Sequence, residues 1–371
     1  MTSKRISALL LLGMTSFFVI ASLFGAWLRP PLDEHNVLHA KIELALRYPE
    51  TNMVAIGPSY VEMGFNPEIF DAEMKANHIE SRSLNMGMNS LSVVEMRFVI
   101  QRLVEKLCCI KYFIILPCYE CLSVAANPDS QRSISYLDWR HGLTFLNYIL
   151  QYDVMPPDGV SKKTTLVRNV VSSIFRHYTN LGLAADYFGL SSFASGERRL
   201  TPEMWMRLGP RGYSPAEPRW NQDEVRDYEN SLPGYRRDRA ALVLEKQLRP
   251  DNTPRIVTDT MFDILIEQVR FLRGKGVKVL VATPPNDWAW PFHAALVAKL
   301  RTRCQDDVPF VDFGDSEKWP ELFLPPDVRL NSAHLSSKGA ALWSKALADQ
   351  FSTFVSATVA ALPNHSICAQ N

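Results

Sequence analysis

The chain has 371 residues, of which 47% are hydrophobic and 21% are charged. It is therefore long enough for one large domain or two ordinary ones, and its composition excludes the disordered and fibrous classes. The formal net charge is +1, from 40 Lys and Arg against 39 Asp and Glu; without a dense basic run, the sequence lacks the electrostatic footprint of a nucleic-acid-binding protein.

The N-terminal segment is apolar. Two basic residues at positions 4–5 precede residues 6–28, which carry no charge, and a bilayer core needs about 20 such residues. We predict a transmembrane anchor at 6–28 with a cytoplasmic tip at 1–5, because a basic pair on this side favours a cytoplasmic N-terminus. The alternative is a cleaved signal peptide, since Val-Ile-Ala at 19–21 is a passable cleavage site. Both interpretations export the remaining domain.

After a predicted helical juxtamembrane spacer at 29–48, strand and helix patterns alternate. Apolar runs and amphipathic repeats predict, in order, strand 53–56, helix 67–77, strand 81–86, helix 92–107 and strand 112–116. Such alternation favours a parallel sheet flanked by helices. We assign 49–123 to the first part of this α/β domain.

The alternation stops between residues 124 and 250, where Pro, Gly, Arg, Trp and Tyr are frequent. A structureless loop of this length is uncommon in a compact domain, so we predict an insertion with its own helices, including 144–151 and 166–178. Insertions at strand ends often carry specificity or form a lid. Trp205 and Trp220 are candidate sugar-stacking residues, because an aromatic face suits a carbohydrate ring.

The alternation resumes in 251–360, the predicted second part of the α/β domain. The predicted elements are helix 258–273, strand 277–282, helix 292–303, strand 309–313 and helix 336–353. Residues 361–371 form a predicted tail.

Six cysteines are present, and their pairing cannot be deduced from sequence. Cys118 and Cys121 follow a predicted strand, as in thioredoxin-like redox proteins, but this pair is embedded in a much longer α/β pattern, which favours free or structural thiols. His141, His177 and His293 show no metal-ligand spacing with Cys, Asp or Glu. We therefore predict neither a metal site nor a cofactor.

Two segments at opposite ends of the chain carry the groups needed for acyl transfer. Ser59 follows the strand at 53–56, where Gly and Pro break it into a turn, and is the candidate nucleophile. His334 enters the last helix and is the candidate base. Gly87, after the second strand, can bring its N–H close to a reacting carbonyl, and the Ser59 N–H is a second candidate oxyanion donor. Each residue also has a structural interpretation, as a helix N-cap, a surface histidine or a turn glycine.

These segments, in this order, resemble the SGNH (GDSL-like) hydrolase superfamily, and more narrowly its membrane-anchored members linked to O-acetylation of bacterial polysaccharides. Ile56-Gly57-Pro58-Ser59, Asn85-Met86-Gly87 and Asn331-x-x-His334 are similar to the family's first block, glycine block and final Asp-x-x-His block. The resemblance covers roughly residues 50–120 and 255–355. It implies a three-layer α/β/α flavodoxin-like domain whose site lies at the carboxyl ends of the strands.

The resemblance also implies an activity. Ser59 would form an acyl-enzyme and His334 would act as base and then acid, in an O-acetyltransferase or esterase acting on a cell-envelope or secreted polysaccharide. A membrane-bound acyl-donor protein is an implied partner. The implied location is the bacterial inner membrane, with a single pass and the main domain in the periplasm or outside the cell.

Two positions depart from the family pattern. Asn331 stands where the family has Asp; its amide can orient the imidazole of His334 but brings no carboxylate to stabilise the protonated ring. Asp315 and Asp327 are nearby candidate substitutes. The family's third-block Asn is also missing after the strand at 112–116, and Asn89 is a candidate replacement.

These departures favour a second hypothesis, a non-catalytic envelope protein that binds glycan or scaffolds a polysaccharide-modification complex. A third is a thioester-handling role, since the motifs also resemble the teichoic-acid D-alanylation protein. The enzyme hypothesis makes a geometric prediction: Ser59 Oγ must lie within hydrogen-bond reach of His334, with the Gly87 N–H directed at the same pocket.

Overall fold

A computed structural model describes residues 3–27, 37–89, 91–117, 131–151, 159–179, 210–216, 226, 230, 259–285, 290–304, 308–323, 326–331 and 334–360. The chain forms two units. Residues 1–40 group with 124–206, and residues 41–123 group with 207–371. The predicted insertion at 124–250 is thus divided between the units, and the predicted tail at 361–371 lies outside the described residues.

The sheet belongs to the second unit and has five strands, β1 (Met53–Ile56), β2 (Ser83–Asn85), β3 (Tyr112–Ile115), β4 (Lys278–Thr283) and β5 (Phe310–Asp312). All neighbours pair in parallel, in the order β2-β1-β3-β4-β5, which is the order of flavodoxin-like sheets. The three central strands β1, β3 and β4 are mostly short apolar runs, as is typical of sheets that helices cover on both faces. The predicted α/β fold with a parallel sheet is confirmed.

The helices follow the predicted alternation. In chain order they are α1 (Ser3–Trp27), α2 (Val37–Leu46), α3 (Ser59–Gly64), α4 (Pro67–Ala76), α5 (Val93–Lys106), α6 (Gln131–Tyr136), α7 (Trp139–Gln151), α8 (Gly159–Thr179), α9 (Asp259–Gly274), α10 (Trp290–Cys304) and α11 (Ser337–Ala360). The short helices α3 and α6 were not predicted. Among the described residues, no helix combines the length and hydropathy needed to cross a membrane, so the structure gives no support to the predicted span at 6–28.

Local sequence explains where the helices beside the site begin. Asn66 caps α4 by accepting the N–H groups of Glu68 and Ile69, and Pro67 occupies its first position. Ser92 and Glu95 form a reciprocal capping box at the start of α5. These caps fix where α4 and α5 begin.

The core on one sheet face joins β1, β3 and β4 to α3, α4 and α11. Its largest fully buried side chains include Trp343, Phe351, Phe70 and Phe65, and each such side chain contributes about 1.5–3 kcal/mol by leaving water. Elsewhere α5 and α9 pack together, and Gln268 donates to the Val93 carbonyl at 2.7 Å. The sheet is therefore a rigid support for the loops at its carboxyl edge.

Lys41 and Arg211 connect the end of the predicted spacer and a piece of the predicted insertion to the sheet of the second unit. The Lys41 side chain is fully buried, and its Nζ donates to the carbonyl oxygens of Asn85 and Gly212. Arg211 forms an ion pair with Asp71. The end of the predicted spacer at 29–48 and a piece of the predicted insertion are therefore built into the sheet domain.

The first unit contains α1, α6, α7 and α8, with α8 packing against the other three. Asp138 caps α7 by accepting the backbone N–H of His141 at 2.7 Å, and it also contacts the His141 ring. The His177 ring lies 2.6 Å from the Ile134 carbonyl. These histidines thus have structural partners within the unit. The helices predicted at 144–151 and 166–178 are confirmed as parts of α7 and α8.

Candidate active site

Ser59 is the first residue of α3, immediately beyond the carboxyl end of β1. Pro58 is the N-cap residue, and its carbonyl accepts the N–H groups of Val61 and Glu62 at 2.9 and 3.1 Å. The alternative interpretation of Ser59 as the N-cap is therefore wrong. Gly57 permits a close approach to the end of β3, because a Cβ there would lie 2.7 Å from the Leu116 carbonyl oxygen. The Ser59 side chain is thereby free to face the sheet edge.

His334 meets Ser59 across 275 residues of sequence. Its Nε2 lies 2.9 Å from Ser59 Oγ, as the enzyme hypothesis predicts. Ser59 is only 8% exposed and His334 is half-buried, so the hydrogen bond is largely shielded from water. A hydroxyl and an imidazole in this geometry are the nucleophile and base of acyl transfer.

Asn331 fixes the orientation of the imidazole. Its Oδ1 lies 2.8 Å from the His334 backbone N and 3.1 Å from the His334 Nδ1. The backbone N–H of His334 can only donate, so the Asn331 atom that faces it must be the amide oxygen. This oxygen can only accept, so His334 Nδ1 must carry the ring hydrogen. Nε2 then presents its lone pair to Ser59 Oγ. The resting tautomer is therefore the one that a general base needs.

A buried arginine ties the loop that carries His334 to the sheet. Arg329 is 2% exposed, and its guanidinium donates to the carbonyl oxygens of Asn331, Pro285 and Leu322, each at 3.3 Å. The loop closes on itself because the Leu330 N–H donates to the His334 carbonyl at 3.0 Å. The base is thus fixed relative to the end of β4.

An aromatic ring lies beside the base. Tyr60 directly follows Ser59 and is 6% exposed, and its ring centroid lies 5.6 Å from that of His334 at an interplanar angle of 39°. This packing restricts the imidazole from one side, while Asn331 restricts it through hydrogen bonds. Both constraints keep Nε2 directed at Ser59.

Asn85 organises the glycine segment beneath the nucleophile. It is fully buried, and its Nδ2 lies 2.7 Å from the carbonyl oxygens of Val61 and Phe65 and 3.2 Å from that of Glu62. Its Oδ1 accepts the Gly87 N–H at 2.8 Å. One side chain therefore holds both α3, which carries Ser59, and the segment after β2.

Gly87 lies beside the nucleophile helix, but its N–H is engaged. To bind an oxyanion it would have to exchange its bond to Asn85, so its role as a donor stays a prediction. The Ser59 N–H, by contrast, is at the first position of α3 and has no acceptor within that helix. Asn89 is exposed on the following loop.

The two candidate substitute acids have other partners. The Asp327 carboxylate pairs with Lys338, and this hydrogen bond holds the pKa of Asp327 below its usual value. Asp315 Oδ1 accepts the N–H groups of Glu317 and Lys318 at 3.0 and 3.3 Å. Asn331 is therefore the orienting partner that the described residues show.

Several predicted residues receive no structural test. Cys118, Cys121, Trp205 and Trp220 lie outside the described residues. Within the part of the chain that the structure describes, no group of three or more His, Cys, Asp or Glu side chains could hold a metal ion.

No family model matches the sequence, and the search of curated proteins found no match.

Sequence reasoning missed the supporting residues Asn85, Tyr60 and Arg329. A signal existed for Asn85, because an amide at the end of a strand buried on both faces must find hydrogen-bond partners nearby. The contact of Tyr60 with His334 and the bond of Arg329 to Pro285 join residues that are distant in sequence, and these contacts become visible only in the fold.

Gly87→Ala is expected to lower the free energy of unfolding by about 1–3 kcal/mol, because overpacking forces the backbone to move. A Cβ at this position would lie 2.1 Å from the Glu62 backbone N. Gly274→Ala is the matched control, since a Cβ there meets nothing within 4 Å. Urea denaturation of both variants measures the difference, and equal midpoints would contradict the close contact between Gly87 and α3.

Proposed function

We propose that this protein is an SGNH-type serine acyl-ester enzyme, an O-acetyltransferase or esterase acting on a cell-envelope or secreted polysaccharide. The observation that carries the proposal is the relay from Ser59 Oγ to His334 Nε2 at 2.9 Å and from His334 Nδ1 to Asn331 Oδ1 at 3.1 Å. Three residues with these roles recur on unrelated folds that perform acyl transfer.

The relay supports a two-step reaction. Ser59 Oγ attacks the carbonyl carbon of the acyl ester, and its proton passes to His334 Nε2. The tetrahedral oxyanion is bound by the Ser59 N–H, and by Gly87 if its N–H leaves Asn85. On collapse, the C–O bond breaks, His334 protonates the departing alcohol, and an acyl-Ser59 ester remains. Water or a sugar hydroxyl then attacks this ester, giving up its proton to His334, and Ser59 is regenerated.

Features outside the relay support the finer parts of the proposal. The strand order and the position of Ser59 beyond β1 agree with a three-layer SGNH domain. The uncharged run at 6–28 behind two basic residues supports export of the domain, by an anchor or a signal peptide. The polysaccharide substrate and a membrane-bound acyl-donor partner follow from the family resemblance.

A second function is favoured by two specific observations. Asn331 supplies no carboxylate, and the Gly87 N–H is held by Asn85 rather than directed at the pocket. A non-catalytic envelope protein that binds glycan or scaffolds a modification complex would need neither a carboxylate beside His334 nor a second oxyanion donor. It would also not need an activated serine.

Labelling of the purified full-length chain by a fluorophosphonate probe separates the two functions. We expect the wild type to be labelled, because the Ser59 hydroxyl hydrogen-bonds to a correctly oriented base. Ser59→Ala should abolish labelling. Ser352→Ala is the control, because that hydroxyl lies on α11 and donates to the Asp349 carbonyl at 2.8 Å. A folded wild type that stays unlabelled would overturn the enzyme proposal and favour the glycan-binding function.

A further inference from the structure

Two adjacent cysteines lie side by side on an exposed turn. Cys108 and Cys109 follow the end of α5 and precede β3, and both are exposed free thiols. Their Sγ atoms are 3.5 Å apart, so one thiol hydrogen-bonds to the other. Neighbouring side chains in an extended chain point to opposite sides, so this arrangement is a property of the turn.

We propose that Cys108 and Cys109 form a vicinal dithiol site that reacts with low-molecular-weight disulfides and closes reversibly to a Cys108–Cys109 disulfide. The proposal does not rest on the acyl-transfer function. Exposure gives a small disulfide access to either sulfur, and the second thiol is already in contact with the first.

The reaction consists of two successive thiol–disulfide exchange steps. The Cys108 thiolate attacks one sulfur of the small disulfide, forming a mixed disulfide and releasing one small thiolate. The Cys109 thiolate then attacks the Cys108 sulfur and releases the second small thiolate. The two protein thiols lose two electrons in total, the small disulfide gains them, and the two released thiolates take up the two protons.

The order of the two attacks follows from the hydrogen bond between the two thiols. The pKa of the Cys109 thiol is raised, first by its hydrogen bond with Cys108 and then by the charge of Cys108. Cys109 therefore holds its proton more tightly than a free thiol does, and its S–H can donate to a thiolate on Cys108, which favours Cys108 as the first attacking sulfur. Lys111 and Arg82 act in the opposite direction. Closure should consequently become faster as the pH rises.

Covalent geometry makes the closed form reducible. Consecutive Cα atoms are about 3.8 Å apart across a trans peptide, whereas disulfide-linked Cα atoms usually lie about 4.4–6.8 Å apart. A bond between adjacent residues therefore stores strain, and strained, exposed disulfides are the labile ones. This favours a reversible site over a permanent crosslink.

The site is separate from Ser59. The strands are parallel, and the cysteine turn precedes the amino end of β3, whereas Ser59 follows the carboxyl end of β1. Closure is therefore expected to leave fluorophosphonate labelling of Ser59 unchanged. Labelling of the untreated wild type tests the acyl-transfer proposal, and disulfide closure tests the dithiol proposal. Either proposal can therefore fail without the other.

Peptide mapping after treatment of the full-length chain with glutathione disulfide tests the site. Trypsin cuts after Lys106 and Lys111 and releases residues 107–111 with both cysteines. We expect this peptide to lose the mass of two hydrogen atoms, to carry no glutathione, and to regain the lost mass with dithiothreitol. In the Cys108→Ser and Cys109→Ser variants the reaction should stop at the mixed disulfide, so the peptide should carry one glutathione.

Closure in the folded chain should be about tenfold faster than in the urea-unfolded chain, because the fold holds the two sulfurs together. Equal closure rates, or a wild-type peptide that stays unreacted or keeps its glutathione, would overturn the proposal.

Discussion

Asn331→Asp is expected to raise the rate of Ser59 acylation about a hundredfold. The substitution places a carboxylate where the Asn331 amide oxygen now lies, 3.1 Å from His334 Nδ1. When His334 takes the Ser59 proton it becomes positively charged. Opposite charges about 5 Å apart attract by about 3 kcal/mol at an effective dielectric constant of about 20, and each 1.36 kcal/mol is about tenfold in rate.

The expected gain is smaller than the loss known for the reverse change in serine proteases. There, replacing Asp by Asn costs about four orders of magnitude because the imidazole adopts the wrong tautomer. In this protein the His334 backbone N–H donates to Asn331 Oδ1 at 2.8 Å and so keeps this oxygen, rather than the amide nitrogen, toward the ring. The tautomer is already correct, so the carboxylate adds only the stabilisation of the imidazolium.

The same substitution should change the pH dependence of labelling. A nearby carboxylate favours the charged imidazolium and raises the pKa of His334. The base must be neutral to accept the Ser59 proton, so the acid limb of the pH–rate profile should move to higher pH. The gain in rate is therefore expected above the new pKa and should shrink below it.

Second-order rate constants for fluorophosphonate labelling, measured across pH, give both results. Asp327→Asn is the matched control, because it changes one charge near the same loop on a side chain that pairs with Lys338; its rate should equal that of the wild type. Asn331→Leu should be slower than the wild type, because the ring loses its orienting acceptor. An Asn331→Asp rate equal to that of the wild type would show that His334 does not take the proton.

The sequence predicted the sheet and the Ser59–His334 pairing for the same reason. In a parallel sheet, the carboxyl ends of the strands share one edge, so a polar residue after β1 and another on a loop returning to that edge are brought together. The run at 53–56 could be recognised as a strand because it is apolar and ends at Gly57 and Pro58. Here the local pattern and the global fold agree.

What the sequence could not predict depends on contacts between distant segments. The division of the predicted insertion at 124–250 follows from Gly212 and Arg211 bonding to Lys41 and Asp71, and none of these bonds has a local pattern. The hydrogen bond from the Gly87 N–H to Asn85 Oδ1 could not be predicted either, because a glycine in a turn does not indicate which acceptor its N–H binds. Hydrogen-bond partners within the core are decided by packing.

Asn85→Asp is expected to be the most destabilising of the substitutions considered. Asn85 is fully buried, and its Nδ2 donates to the carbonyls of Val61, Glu62 and Phe65. The carboxylate has the same shape but loses both donors and places a negative charge against three oxygens. An uncompensated buried charge costs about 3–5 kcal/mol, a large part of the about 5–15 kcal/mol that stabilises a domain.

The penalty should depend on pH. Burial raises the pKa of the introduced carboxyl in the folded state above its unfolded value of about 3.9. The folded protein then binds the proton more tightly than the unfolded chain, so the variant gains stability as the pH falls and loses it as the pH rises. We expect the deficit relative to the wild type to be largest at neutral pH and smaller near pH 4, where the neutral carboxyl can donate one hydrogen bond.

Urea denaturation at both pH values, compared with Asn147→Asp, measures this effect. Asn147 is exposed on α7 and accepts a hydrogen bond from Gln151 at 3.3 Å, so a carboxylate there keeps its acceptor role and should leave the midpoint unchanged. Because α3 carries Ser59, we also expect the folded fraction of Asn85→Asp to label more slowly than the wild type. A midpoint equal to that of the wild type at neutral pH would show that Asn85 does not hold α3 through these bonds.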